Sequence, residues 1–288
     1  MKARLTRILA ATVVVVAATI GIVVSQPAAS QAATPSLQAI GLLTDGQRML
    51  AWKTDNPGQN DWVRRVSGLM TDTSLIGLDF RVQDGQLYGA GNYGGIYRIT
   101  LPPPGTSNPP VLTKVGQLGV ALNGQSFGVD FNPAADRLRI VSNHGQNLSY
   151  DLNTNTTTAQ TGLTDGATGA TATGITGVAY TNNDLSNTTA TLLFDIDTVK
   201  NQLSLQNPPA NGTLFPIGQF GVDPSLNTGF DINTTLNTDK RAVGNTAFAV
   251  FVDPISLIST EYQIDLTSGF ATRVDDFPLD VVEIAIAL

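Results

Sequence analysis

The chain has 288 residues, with 23 acidic and 16 basic side chains, one His and no Cys. Its net charge of −7 argues against nucleic acid and against anionic membrane surfaces, since both select basic faces. The missing Cys excludes disulfides, thiolate metal sites and Cys nucleophiles, and a lone His excludes an imidazole cage.

Residues 1–33 read as an export signal. Lys2, Arg4 and Arg7 precede an uncharged apolar run, Ile8 to Val24, then Ser25-Gln26-Pro27 and small residues through Ala33. Small side chains after Pro27 suit cleavage after Ala32 or Ala33. The alternative is an uncleaved anchor, but the apolar run sits at the lower limit for spanning a bilayer and no basic stop-transfer cluster follows it. Cleavage would remove three basic residues and take the net charge from −7 to −10. The reading is a bacterial secreted protein that does without disulfides, with residues 34–288 as a single domain and no stable membrane anchor after cleavage.

The rest of the chain is poor in helix formers and rich in turn and strand formers; the full sequence has 35 Thr, 20 Asn, 28 Gly and 15 Pro. Short apolar runs separated by Asn, Asp, Gly and Pro clusters indicate an all-β protein. A repeat sets the architecture. Gly77-Leu78-Asp79-Phe80, Gly128-Val129-Asp130-Phe131, Gly177-Val178-Ala179-Tyr180 and Gly229-Phe230-Asp231-Ile232 share a pattern, and Glu283-Ile284-Ala285-Ile286 is a degenerate fifth copy. A period near 50 residues with several strands per unit predicts propeller blades.

In chain order, strands are expected at 37–44, 47–53 and 62–69; at 75–81, 86–91, 95–101 and 111–118; at 127–132, 137–143, 146–151 and, weakly, 156–161. Further strands are expected at 175–181, 189–196, 201–207 and 213–218; at 228–233, 246–252, 259–265 and 270–275; and at 281–287. The first group lacks one strand and the C-terminus has one left over. A β-propeller of five four-stranded blades follows, with the C-terminal strand closing the first blade and removing an exposed edge. A β-sandwich with accidental similarity is the alternative. The Gly162–Gly174 stretch reads as a long mobile connector.

The Gly77–Arg81 motif with Gly85-Gln86-Leu87-Tyr88, the run Phe127–Ser142 with Gly145-Gln146-Asn147-Leu148, Ala179–Asn183 and Gln206–Leu214 together resemble a secreted bacterial family, domain of unknown function 4394 (DUF4394), over roughly residues 37–288. The resemblance implies an exported, repeat-built β-domain and carries over no activity or catalytic residue.

Ligands of propellers are expected on the face carrying the loops between blades and between second and third strands, because loops on a rigid scaffold carry function. Asn92, Tyr93, Asn143, His144 and Gln146 lie in such second-to-third loops and are the ligand-binding candidates, offering donors and acceptors to a polar small molecule or glycan. His144 has two readings, a general base or ligand, and a local turn residue. Asp79, Asp130 and Asp231 share one position on three innermost strands. They are either a carboxylate cluster, able to hold Ca²⁺ or act as acid and base, or latches that hydrogen-bond backbone in the next blade. Glu261 and Glu283 join no recognisable motif. Two functions remain in view. One is a secreted non-catalytic propeller binding a polar, carbohydrate-like ligand or an extracellular protein partner. The other is an extracellular hydrolase or lyase on a sugar or lactone that uses the channel Asp residues, with or without a metal ion. No cofactor is required by the first.

Overall fold

A computed structural model describes residues 33–186 and 188–288; the segment expected as an export signal lies, but for Ala33, outside these residues. Five antiparallel sheets are present, and among the described residues the only helix is the 3₁₀ turn Pro209–Asn211. Blade one orders Ala285–Ile286, Gln38–Leu42, Arg48–Lys53 and Asn56–Arg65 from inside outward, so the C-terminal strand is its innermost. Blade two is Leu75–Arg81, Gln86–Gly91, Gly95–Thr100 and Val111–Gln117. Blade three is Phe127–Asn132, Arg137–Ser142, Asn147–Asp151 and Thr156–Ala159. Blade four is Ile175–Tyr180, Leu193–Asp197, Gln202–Gln206 and Thr213–Gln219. Blade five is Thr228–Leu236, Ala242–Val252, Ser259–Ile264 and Ala271–Asp276. The innermost strands of neighbouring blades touch in sequence order, and the fifth touches the first. The fold is a five-bladed β-propeller.

Five apolar clusters fill the five interfaces between blades. Side chains alternate across each strand, so Ile40, Met49 and Ala51 face blade two beside Leu78 and Phe80, while Ala39, Leu50 and Trp52 face blade five beside Phe248 and Val250. Both sheet faces are therefore buried near the axis, which is why the inner strands read as apolar runs rather than as strict alternation.

The repeated Gly reports how close the inner strands come. A Cβ on Gly128 would stand 2.6 Å from the Val178 backbone nitrogen, and one on Gly229 would stand 2.6 Å from the Glu283 Cα. Only a residue without a side chain allows this approach. Blade one departs from the rule and puts Glu283 at that position.

Several strands differ from those expected: the closing strand is Ala285–Ile286 rather than 281–287, and in blade five the first strand runs on to Leu236 and the second starts at Ala242. The outer strand of blade one begins at Asn56 rather than 62, and its hairpin with Arg48–Lys53 carries two register shifts. The second strand of blade four starts at Leu193, not 189, because Asp184 holds the preceding loop: it accepts hydrogen bonds from Ser186 N, Thr189 Oγ1 and Ala242 N. The Gly162–Gly174 connector is not free chain. Leu163 is fully buried, Thr164–Asp165 adds a fifth, parallel strand to blade four, and Asp165 pairs with Lys200.

The seam between the last and first blades carries a buried carboxyl. The Trp52 Nε1–H of blade one donates to Glu261 Oε2 of blade five at 2.6 Å. Glu261 is fully buried, and its Oε1 has no partner among the described residues. Burial pushes the carboxyl up to about 8, against the opposing pull of the Trp52 hydrogen bond.

Candidate functional site

Asp79, Asp130 and Asp231 sit on the propeller axis, buried, each offering an oxygen within 4.8 Å of the other two. Each also reaches the next blade. Asp79 Oδ2 accepts from Phe131 N at 2.7 Å, Asp130 Oδ2 from Tyr180 N at 3.0 Å and Asp231 Oδ2 from Ile286 N at 2.5 Å. Convergence and latching, which the sequence presents as alternatives, are therefore the same arrangement.

The latch also accounts for the two blades with Ala at this position. Five inner-strand N–H groups point at the axis, from Phe80, Phe131, Tyr180, Ile232 and Ile286. Phe80 and Ile232 follow the blades with Ala285 and Ala179, so no carboxylate reaches them from the blade before. Their N–H groups are taken instead by Asp79 Oδ1 at 2.7 Å and Asp231 Oδ1 at 2.6 Å. Three carboxyls thus satisfy five buried donors, and each such donor left unpaired costs about 1–3 kcal/mol.

Glu283, which the sequence places in no recognisable motif, lies near enough to this cluster to feel the charges of Asp231 and Asp79. It lies two residues before the Asp position on its strand and so on the same face. Its Oε1 accepts from Ile284 N at 3.0 Å. None of the four axial carboxyls makes an ion pair among the described residues. Burial, and then mutual repulsion, raise Asp79 and Asp130 well above the ordinary carboxylate range. Burial also raises Glu283, opposed by the Ile284 hydrogen bond and reinforced by the charges of Asp231 and Asp79. Burial pushes Asp231 up to about 6 against its two backbone hydrogen bonds.

Above the cluster opens a cavity of about 200 Å³ at the start of the inner strands. Its polar lining includes Ser74, Gln125, Ser126, Thr176, Asn227 and Thr228, its apolar walls include Phe127 and Val282, and Glu283 reaches it from the axis. The Thr176 and Thr228 hydroxyls are 2.5 Å apart.

None of the five candidate loop residues lines this cavity. Asn92 and Asn143 are instead turned inward on the loops between blades. Asn92 Oδ1 accepts from Thr73 N and Ser74 N, and Asn143 Oδ1 from Gln125 N and Ser126 N. Gln146 Oε1 accepts from Asn123 N, and its Nε2 donates to Ala121 O. These amides hold the cavity-forming loops in place. Tyr93 is 64% exposed. The exposed His144 has its Nδ1 3.3 Å from Asn123 Oδ1, in a turn where Gly145 takes a φ of 80°. Most of the lining residues that sequence reasoning missed occupy the one to three positions before a repeated Gly or before Glu283, and that offset is the signal that marks them; Leu42, Leu43, Thr44 and Gly46 come from the first hairpin of blade one instead.

The family model of DUF4394, described as a domain of unknown function, matches residues 48–287. The chain belongs to this family. No curated protein matches it. Among solved structures, a chain of a nidogen/laminin complex is 11% identical with a TM-score of 0.45, covering 87% of this chain and 98% of its own. A Lactobacillus plantarum protein is 13% identical with a TM-score of 0.41, covering 88% and 99%. Glutaminyl cyclase of Myxococcus xanthus is 11% identical with a TM-score of 0.42, covering 86% and 97%. At these scores the likenesses carry no argument, and the architecture rests on the sheets themselves. The DUF4394 chain has, among its described residues, no helix long and apolar enough to cross a membrane.

Proposed function

We propose that this DUF4394 protein is exported and acts as a non-catalytic propeller that binds a small polar, carbohydrate-like ligand at its axial mouth. The observation that carries the reading is the cavity itself. All five blades contribute to its lining, its polar groups are mostly neutral hydroxyls and amides, and Phe127, Leu42 and Val282 add apolar wall. Paired donors and acceptors beside apolar surface suit a molecule with hydroxyl edges and C–H faces. The volume of about 200 Å³ lies below that of a drug-sized pocket, which favours one small unit or one chain end over an extended polymer.

Binding is preferred over hydrolysis or elimination because of how the carboxyls are used. Asp79 and Asp231 each give both oxygens to backbone N–H groups, and a group held in this way is a poor nucleophile or proton shuttle. Export is supported by the basic, apolar and small-residue order of residues 1–33. A protein partner is the second reading. It is favoured by exposed apolar tips on the same face, where Tyr93, Val199 and Ile255 are 64%, 64% and 92% exposed.

The test is a thermal-shift and glycan-array screen of residues 34–288, followed by Gln125→Ala and Asn227→Ala variants. The reading expects a sugar or polyol whose binding weakens at least about tenfold in each variant, the worth of one hydrogen bond to a bound ligand. A blank screen, or a hit that both variants bind unchanged, overturns it.

A further inference from the structure

The seam between blades four and five holds a further cavity, of about 310 Å³, beside the loop between the second and third strands of blade five. Phe251, Tyr262 and Val222 supply apolar wall, the two rings having centroids 5.3 Å apart and planes tilted by 36°. Asp223 and Asp253 line the same cavity, and both are exposed. Ser225 N–H donates to Val252 O at 2.8 Å, which ties the loop carrying Asp223 to the strand that leads into Asp253. Asp253 Oδ1 accepts from Ile255 N, Ser256 N and Ser256 Oγ. The hydrogen bonds from Ser256 and Ile255 hold this carboxyl below the ordinary carboxylate range. Neither Asp223 nor Asp253 makes an ion pair among the described residues. The cation nearest in the sheet is already taken, since Arg273, opposite Tyr262 on the next strand, pairs with Asp275 and Asp276. An aromatic cavity is thus edged by two carboxylates that lack a cationic partner.

The loop beside it displays apolar side chains. Ile255 lines the cavity and is 92% exposed, and Leu257 is 69% exposed. Leu257 holds a φ of 60°, a conformation that a turn alone fills at less cost with Gly. We propose that this cavity is a docking site for an Arg side chain, carried between apolar residues on an extended segment of a protein partner. The methylene stem packs on Phe251 and Tyr262, the guanidinium meets Asp223 and Asp253, and the flanking apolar residues cover Ile255 and Leu257. Charge complementarity selects a cation, and aromatic rings beside carboxylates suit one with an apolar stem. A guanidinium is favoured over an ammonium because its planar face stacks on rings while its fork of donors reaches more than one carboxylate. The volume lies at the low end of ligand pockets, which suits one long side chain. The inference rests on the second reading above, a protein partner, and is independent of the mouth ligand.

The experiment titrates isotope-labelled residues 34–288 with the blocked peptide acetyl-Ala-Leu-Arg-Leu-Ala-amide, followed by amide NMR shifts. The same peptide with citrulline, the neutral isostere of Arg, runs in parallel. The expected result is saturable shifts at residues 222–225 and 253–262, with the citrulline peptide at least about fivefold weaker. Asp223→Asn and Asp253→Asn should each weaken binding about two- to fivefold, and together about tenfold, as exposed charge pairs do. Both carboxylates are exposed, and the amide of Asp253→Asn keeps an oxygen for the same turn, so these variants should fold. Gln125→Ala should leave peptide binding unchanged. No shift at about 10 mM peptide, equal binding of the citrulline peptide, or unchanged binding in the double variant overturns the inference. Guanidinium chloride binding as tightly as the peptide also overturns it, because the site would then be one for a small free cation. Shifts at Tyr93 or Val199 in place of these residues would keep a protein partner but move it to other tips, and so overturn this inference alone.

Discussion

Glu261→Gln isolates the buried carboxyl at the seam where the ring closes. The amide keeps an oxygen to accept the Trp52 Nε1–H, now 2.6 Å from Glu261 Oε2, and removes the titration. Burial moves this carboxyl from 4.5 to about 8. Each unit corresponds to about 1.4 kcal/mol, so ionising the group in the folded chain costs up to about 5 kcal/mol. The direction follows from proton counting. Between the two values the folded chain holds a proton that the unfolded chain has released. Stability therefore falls as pH rises through that window, by up to about 1.4 kcal/mol per unit, and levels off above the folded value. The Gln variant lacks this slope. Urea unfolding followed by Trp fluorescence should find the two proteins within about 1 kcal/mol at pH 5, and the variant more stable by several kcal/mol at about pH 9. A stability difference that is the same at both pH values would refute the assignment of a buried, protonated Glu261.

Four further perturbations probe the axis and the ring. Asp79→Ala strands the N–H groups of Phe80 and Phe131, bonded at 2.7 Å each. Partly offset by relief from Asp231, it should cost about 2–4 kcal/mol in urea unfolding, and a loss under about 0.5 kcal/mol would count against the latch. Gly128→Ala forces a Cβ to 2.6 Å from the Val178 nitrogen and should cost more than about 3 kcal/mol or abolish soluble expression. Gly244→Ala, whose Cβ would meet nothing closer than 3.9 Å, should change stability by only about 0.5 kcal/mol. Ending the chain after Glu283 removes the inner strand of blade one and the Ile286 donor to Asp231. Size-exclusion chromatography and circular dichroism should then show aggregation and a broadened melt; a monomer with an unchanged melt would mean that closure does not hold the ring.

The blade count was legible because one physical demand recurs. Inner strands converge on an axis, so the same position is Gly in four of the five blades, and in three of them an Asp two residues on reaches the next strand. Demands of that kind repeat at fixed spacing and show in a single sequence. The closing strand was legible for a related reason, since Ile284, Ala285 and Ile286 must alternate as an inner strand does. What occurs once was harder to see. Glu283 matters because it departs from the repeat, and a departure carries no periodic signal. The loop amides are hard to read from sequence for another reason. Asn92, Asn143 and Gln146 look like ligand donors, but the backbone of the neighbouring loops already uses their atoms, which only coordinates can reveal. Asp184 hides in the same way: its contact with Ala242 N spans two blades and shortens a strand that sequence pattern alone extends.

Blade one is assembled from both ends of the domain, with Ala285–Ile286 beside Gln38–Leu42. A ribosome makes the second of these long before the first. Blades two to five are each contiguous in sequence and can pair as they emerge, but Ala39 and Ile40 have no inner neighbour until Ala285 and Ile286 have been made. Completion of the ring is thus a late event in the making of the domain, and its earliest strand waits with its hydrogen-bonding edge unpaired until all the other blades have been made.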